Sequence, residues 1–223
     1  MSPLEQLRET LLQSVLDGAP ALLGWDLVRG GLRARLVEVE AYRGADDPGS
    51  HAFRGPRPRT CAMFGPPGFA YVYFTYGNHW MLNVTAEPEG TGAAVLVRAA
   101  MPFFGIEAMR ERRPKAKADS DLLSGPGKLA AAFAIDRALY GIDLLDPESE
   151  LRLEPGEPPT GILVGTRIGL AKGQGDDLPW RFVDAGRIEW TSRPRTDLRP
   201  NPRYSAAGAG ARGDLDLVGR VSR

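Results

Sequence analysis

Leu4, Leu7, Leu11 and Val15 recur every three or four residues near the start of the chain, the spacing of one face of a helix. Ser2, Pro3 and Glu5 supply a capping box with proline at the first helical position, and Gly18 is the expected stop. At Leu32 the period changes to two. "LRARLVEVEAY", Leu32 to Tyr42, alternates and is rich in Val and Leu, so it predicts a strand. Tyr71 to Tyr76 and His79 to Thr85 predict a hairpin around Gly77-Asn78, a dipeptide suited to a tight primed turn. "AAVLVRA", Ala93 to Ala99, predicts a buried strand, Gly105 to Arg113 a short helix, and "SGPGKLAAAFAIDRALYG" a helix with Pro126 near its start and Gly141 at its end. "GILVGTRIGL", "WRFVDA" and "IEWTS" predict further β segments. Strands and helices do not alternate regularly, which points to an α+β fold. Gly44 to Arg59 is a long Gly/Pro/Asp-rich loop, of the kind that inside a compact domain is functional or disordered.

A chain of 223 residues, 43% hydrophobic and 25% charged, has the composition of a globular protein and can bury a substantial core. No apolar run is long enough to span a bilayer, and the N-terminus lacks the basic-then-apolar pattern of a secretory signal, so a cytoplasmic location without a membrane partner is expected. The single Cys61 excludes an internal disulfide, and with only His51 and His79 beside it a closed zinc site is not expected. Lys and Arg together number 28, as do Asp and Glu, and this zero balance runs against a dedicated nucleic-acid binder. The charge is uneven, however. Met109 to Lys117 and Arg195 to Arg203 are basic and Asp146 to Glu157 is acidic, so a zero sum is compatible with one cationic face.

Glu38 and Glu40 stand two apart on the predicted strand, so both project from one face, which alternation would share with Leu32, Ala34, Leu36 and Tyr42. A carboxyl among apolar and aromatic neighbours tends to a raised pKa, which suits acid or base work. The commoner alternative is a solvated strand that pairs its glutamates with basic neighbours. Tyr42, His51, Phe53, Phe64, Phe69, Tyr71, Tyr73, Phe74 and Tyr76 crowd one segment. Such rings build either a core cluster or a set of faces that stack on a planar base. Arg98 interrupts an apolar strand and needs an anion or acceptors there, and Asn83 interrupts another and can fix a water or a carboxylate. "SGPGK" lacks the spacing of a phosphate loop. Its backbone N–H groups either start a helix or hold one phosphate.

"VEVEAYRGADDPGSHAFRGPRPRTCAMFGPPGFAYVYFTYGNHWMLNV", "AAVLVRA" and "LLSGPGKLAAAFAI" together resemble the 3-methyladenine (alkyladenine) DNA glycosylase family, and the resemblance covers most of Leu32 to Ser192. It implies one catalytic domain over residues 1–192, with a curved, mostly antiparallel sheet or partial barrel, flanking helices and a protruding hairpin. Residues 193–223 would be a Pro/Arg/Gly-rich, partly disordered tail. By the same resemblance Glu40 is the base that deprotonates the attacking water, Arg98 helps hold that water, and Asn83 lines the pocket. Tyr42, His51 and Tyr73 enclose the flipped base, Gly49 reads its edge through the backbone, and Tyr76 fills the gap left in the duplex. Gly125, Gly127 and Lys128 are candidates for the DNA backbone, and Glu38 matches an acidic position without assigned chemistry. The partner implied is double-stranded DNA carrying damaged purines, bound by a monomer. No metal or organic cofactor is required, and no lysine stands where a Schiff-base nucleophile would, which implies a monofunctional enzyme.

Two other functions use the same residues. A sugar hydrolase would employ Glu38 and Glu40 around an oxocarbenium centre. A non-catalytic DNA-damage binder would use the hairpin alone. A base deaminase is disfavoured, because the zinc signature that pairs His-x-Glu with Pro-Cys-x-x-Cys is missing. The hairpin poses a register problem. A strict two-residue turn pairs Tyr76 with His79 and Tyr73 with Leu82, which puts Asn83 opposite Val72 and away from Tyr73. If Tyr73 and Asn83 line one pocket, a bulge or another register is required.

Overall fold

The computed structural model describes residues 1–75, 77–201 and 203. Its N-terminal helix α1 (Pro3–Gln13) starts with the expected box: the Glu5 N–H donates to Ser2 Oγ, and the Ser2 N–H donates to Glu5 Oε2 at 2.7 Å. The helix does not run on to Gly18. Ser14 adopts extended backbone and caps a second helix, α2 (Val15–Ala21), by accepting from the Leu16 N–H. Gly18 lies inside α2 because a Cβ there would stand 2.8 Å from Leu11 Cδ2, so the glycine lets the two helices close on each other.

The strands are β1 (Asp26–Arg29), β2 (Leu32–Tyr42), β3 (Ala70–Thr75), β4 (His79–Ala86), β5 (Ala93–Phe104), β6 (Leu151–Glu154), β7 (Ile162–Gly165), β8 (Arg181–Asp184) and β9 (Arg199–Pro200). Among the described residues they form one sheet with antiparallel pairings, in the order β3-β4-β5-β2-β8-β7-β9, with β1 bridging β2 and β6. The sheet does not close into a barrel, and the fold is α+β as expected. Helices α3 (Ile106–Arg112), α4 (Asp119–Leu122) and α5 (Pro126–Ala132) follow β5. The predicted long helix from Ser124 ends at Ala132, because Ala134 turns into left-handed backbone (φ 52°). "IEWTS" is not a strand. Asp184 accepts from the Gly186 N–H and starts a 3₁₀ turn over Ala185–Trp190 instead. Three carboxylates of the acidic run near β6 are paired: Glu150 meets Arg29, Glu154 meets Arg33 and Arg152, and Glu157 meets Arg35 and Arg187.

One face of the sheet carries the main core, where Leu7, Leu11, Val15 and Leu22 of the first helices and Leu129 and Phe133 near α5 pack on Leu36, Val39, Val95 and Val97. Burying each large aliphatic or aromatic side chain contributes about 1.5–3 kcal/mol. The parity of β2 changes along its length. Its register with β5 passes from Leu36↔Ala100 to Glu38↔Ala99, which leaves Val37 extra on β2, and then to Val39↔Val97, which leaves Arg98 extra on β5. Leu32, Ala34 and Leu36 face the main core before this irregularity, and Val39 and Ala41 face it afterwards. The expectation that Glu38 and Glu40 share a face with Leu36 is therefore wrong. The bulge turns both carboxylates to the opposite side, as bulges beside functional sites do.

The hairpin register is also other than the two-residue turn predicts. Thr75 pairs with His79, Tyr73 with Met81 and Tyr71 with Asn83, which leaves three residues between the strands. The added residue shifts the pairing by one, so Tyr71, Tyr73, Met81 and Asn83 share a face without any bulge in the hairpin. Tyr76, the expected wedge, lies outside the described residues.

Candidate active site

Pairing places one residue from each of five strands in a row. Tyr71 lies opposite Asn83, Asn83 opposite Leu96, Leu96 opposite Glu40, and Glu40 opposite Arg181. Opposed residues project from the same face of a sheet, so this row brings distant segments to one place. Above it, residues 43–65 and 166–178 form walls around a cavity of about 310 Å³. Tyr42, Gly49, His51, Tyr73, Asn83 and Arg98 all line it, so six of the expected site residues meet at one cavity.

Glu40 has no exposed surface. Its Oε2 accepts from the Tyr42 hydroxyl at 2.9 Å and from Arg98 Nη1 at 3.1 Å, and its Oε1 accepts from the Ile168 N–H at 2.7 Å. All three donors line the cavity, so the carboxyl sits directly behind the wall. Burial raises its pKa above the ordinary value. Arg98 and the Ile168 N–H oppose that rise, the nearby Glu38 charge adds to it, and the Tyr42 hydrogen bond opposes it again. Burial works against the Arg98 cation, but Glu40 and then Glu38 outweigh it and hold the guanidinium above its usual value. The Tyr42 hydroxyl is driven well up, by burial first and by the Glu40 charge second, and stays a donor.

The cavity walls are built from rings. His51 stands edge-on to Tyr73, with centroids 4.6 Å apart, and its Nδ1 lies 2.9 Å from the Tyr71 hydroxyl. It keeps exposed surface at the mouth, while crowding of its ring and then the Arg59 charge hold the imidazole below its ordinary pKa. Asn83 Nδ2 donates to the Tyr71 carbonyl at 2.9 Å, which orients the amide. Gly49 is tight against its surroundings: a Cβ would stand 2.8 Å from the Gln174 carbonyl and 2.9 Å from Leu170 Cδ1.

Several residues that support the site were not singled out from the sequence. Arg167 and Asp47, both fully buried, form a two-pronged ion pair of 2.5 and 2.8 Å that ties one cavity wall to the other. The Arg167 guanidinium also lies over the Tyr42 ring, 4.7 Å from its centre, and 5.0 Å from the centre of Trp180. Ser192 closes over Glu38 with its N–H and its hydroxyl, and Arg181 reaches Glu38 from β8 at 3.5 Å. The signal that singled out Arg98, a lone arginine in an apolar stretch, was present in "GILVGTRIGL" and "WRFVDA" as well.

The candidate backbone residues lie beside the cavity rather than in it. Pro126 lines the cavity, Gly127 packs against His79 (a Cβ would be 2.9 Å from its Cγ), and Lys128 Nζ is held by Asp121 at 2.9 Å and Ser124 at 3.0 Å. The basic run Met109 to Lys117 is largely engaged. Arg110 pairs with Asp119 and Glu107, and Arg112 and Arg113 reach carbonyls. Free cations lie elsewhere. Arg54, Arg57, Arg59 and Arg137 are exposed around grooves adjoining the cavity, and none has a side-chain hydrogen bond or ion pair among the described residues.

A family model described as methylpurine-DNA glycosylase matches residues 9–188. The chain belongs to the methylpurine-DNA glycosylase family. Among its relatives, a Burkholderia lata protein is 45% identical over 183 residues, covering 81% of this chain and 87% of the relative. A Streptomyces avermitilis protein is 48% identical over 182 residues, with 78% and 85% covered, and one from Chlorobaculum parvum is 48% identical over 184, with 80% and 87% covered. All three are provisionally named 3-methyladenine DNA glycosylase. The matched span of the methylpurine-DNA glycosylase model contains every cavity-lining residue named above, from Tyr42 to Leu170.

Proposed function

We propose that this chain removes 3-methyladenine and related damaged purines from duplex DNA by hydrolysing the N-glycosidic bond, the first step of base excision repair. The observation that carries the mechanism is a buried Glu40 carboxyl, held by Arg98, Tyr42 and the Ile168 N–H, directly behind an aromatic cavity. A base inside a duplex is out of reach of such a cavity, so the nucleotide must swing out at a cost of a few kcal/mol. Tyr42, His51 and Tyr73 then enclose the base, whose alkylation often leaves it cationic, and electron-rich rings favour a cation. By the resemblance, the Gly49 backbone at the cavity wall reads the edge of the base.

Glu40 takes a proton from a water that attacks the anomeric carbon. The glycosidic electrons leave with the purine, and the carboxylate charge offsets the oxocarbenium character of the transition state. Arg98 and Asn83 orient the water. The reaction balances with water alone and leaves an abasic site. Tyr76 fills the vacated stack, as inserted side chains do in other minor-groove complexes, a role that rests on the resemblance alone. The free Arg54, Arg57, Arg59 and Arg137 meet phosphates, with Gly125, Gly127 and Lys128 as a further contact. A sugar-hydrolase reading has less support, since Glu38 is sealed under Ser192 and Arg181 and does not face Glu40 across the cavity.

The test is single-turnover base release from duplexes carrying 3-methyladenine, 7-methylguanine, hypoxanthine or ethenoadenine. Wild type releases at least one of them. Glu40→Gln abolishes release while keeping lesion binding. Normal turnover by Glu40→Gln would overturn the mechanism. Tight lesion binding by wild type without release of any base would leave a damage binder.

A further inference from the structure

Glu38 is as buried as Glu40 and, like it, has three partner residues, yet the chemistry above makes no use of it. Ser192 donates to it twice: the backbone N–H to Oε2 at 2.6 Å, and the hydroxyl at 2.7 Å from either oxygen. Arg98 Nε donates to the Ser192 hydroxyl oxygen at 3.4 Å and stands 3.4 Å from Glu38 Oε1 as an ion pair, while Nη1 of the same guanidinium donates to Glu40 at 3.1 Å. Arg181, on the other side, is 3.5 Å from Glu38 and is itself held by Asp197 at 2.6 Å and the Pro194 carbonyl at 2.8 Å. One guanidinium thus spans two carboxylates. The second carboxylate is pinned by a segment, 191–197, that is far away in sequence.

A lone buried Arg–Glu pair would be a poor base. An opposite charge within hydrogen-bonding distance favours the ionised carboxylate and weakens its pull on a proton. A lone arginine tip on an extended strand would also be free to swing. We infer that Glu38 is a positioning residue for this site: it pairs with Arg98 on the Nε side, by charge directly and through the Ser192 hydroxyl that bridges them, divides the guanidinium charge between two carboxylates, and so leaves Glu40 both oriented and basic. The bulge supports this assignment, because Arg98 is the extra residue of β5 and has no register partner of its own to fix it. Ser192 completes the device by orienting Glu38. The inference rests on the glycosylase reading only for its kinetic consequence.

The groups that face the pair are Arg98 from β5, Tyr42 beside Glu40 on β2, the Ile168 N–H beyond β7, Arg181 from β8, and Ser192. Removing the Glu38 charge leaves Arg98 facing Glu40 as its only carboxylate partner, which makes Glu40 easier to ionise. Glu38 also contributes directly to the raised Glu40 pKa. The sign is therefore set. In Glu38→Gln the acidic limb of the rate–pH profile moves to lower pH, and the plateau rate falls by roughly tenfold to a hundredfold, no more than the low end of what base catalysis supplies.

The test pairs that profile, measured by single-turnover release, with a ¹³C titration of the glutamate carboxyl carbons, Glu40 being assigned by its loss in Glu40→Gln. A lower Glu40 pKa in Glu38→Gln supports the inference even if no substrate is released, in which case only the glycosylase reading fails. An unchanged Glu40 titration in a folded Glu38→Gln protein overturns it. Glu38→Asp, which keeps the charge, should restore the pH limb. Ser192→Ala, which keeps Glu38 itself, should lower the plateau without moving the limb as far. If Glu38→Gln does not fold, a Glu40 titration that is identical in Ser192→Ala and wild type, with an unaltered rate, is the overturning result.

Discussion

Asp47→Asn isolates the link between fold and cavity. Asp47 accepts from Arg167 Nη1 and Nη2 at 2.5 and 2.8 Å, and also from the Arg43 and Gly49 N–H groups at 3.0 Å each. Neither ion-pair side chain has exposed surface. Asparagine keeps the shape but removes the charge, so the Arg167 cation remains buried without a counter-charge, holding only the Ala41 and Gly175 carbonyls at 3.1 and 3.3 Å. Breaking a buried pair from one side costs about 3–5 kcal/mol. For a domain of this size each kcal/mol is worth roughly 2–4 °C, so the melting temperature should fall by about 6–20 °C. Urea unfolding of the single variants and of Asp47→Asn/Arg167→Met closes the cycle. The double variant should recover much of the loss, since replacing both partners is often close to neutral. It should not recover all of it, because Tyr42 and Trp180 lose their cation, worth roughly 0.5–2 kcal/mol for each contact. Release from a lesion duplex, measured well below the melting transition, should fall in Asp47→Asn, because the pair joins the Gly49 wall to the Ile168 wall. A loss of stability under about 1 kcal/mol, the value of an exposed pair, would refute the reasoning.

Glu40→Gln should cost at least roughly 10²–10⁴-fold in single-turnover release with binding retained, which gel-shift and chase assays can separate. Because Glu40 must be ionised to accept a proton and its pKa is raised, release should fall as pH drops through a value above the ordinary glutamate figure of about 4.3. Tyr42→Phe removes a donor that stabilises the carboxylate, so the same limb should move to higher pH, opposite to Glu38→Gln. If Arg54, Arg57 and Arg59 each meet a phosphate, each change to Gln should lower the slope of log binding against log salt by roughly 0.9, by fluorescence anisotropy. Tyr76→Ala should impair release from duplex DNA and spare release from a single-stranded lesion, where no stack has to be filled.

Local rules carried much of the fold. The capping box of α1, the full length of β2, and Pro126 at the start of α5 follow from residue types within a few positions of each other. Errors arose where a contact distant in sequence overrode a local pattern. Leu11 against Gly18 turned a stop signal into a packing site, and the hairpin took a three-residue connection where two looked sufficient. The chemistry divides in the same way. Arg98 and Asn83 were legible as polar residues in apolar strands, Glu40 only as one of two glutamates on β2, and the family motifs assigned them roles. Which way the carboxylates face was decided by the offset of β2 against β5 at Val37 and Arg98, a property of two strands that neither encodes alone. Asp47 meeting Arg167 and Ser192 meeting Glu38 join residues 120 and 154 positions apart. A buried charge must find its partner in space, and only the folded sheet determines which partner is within reach.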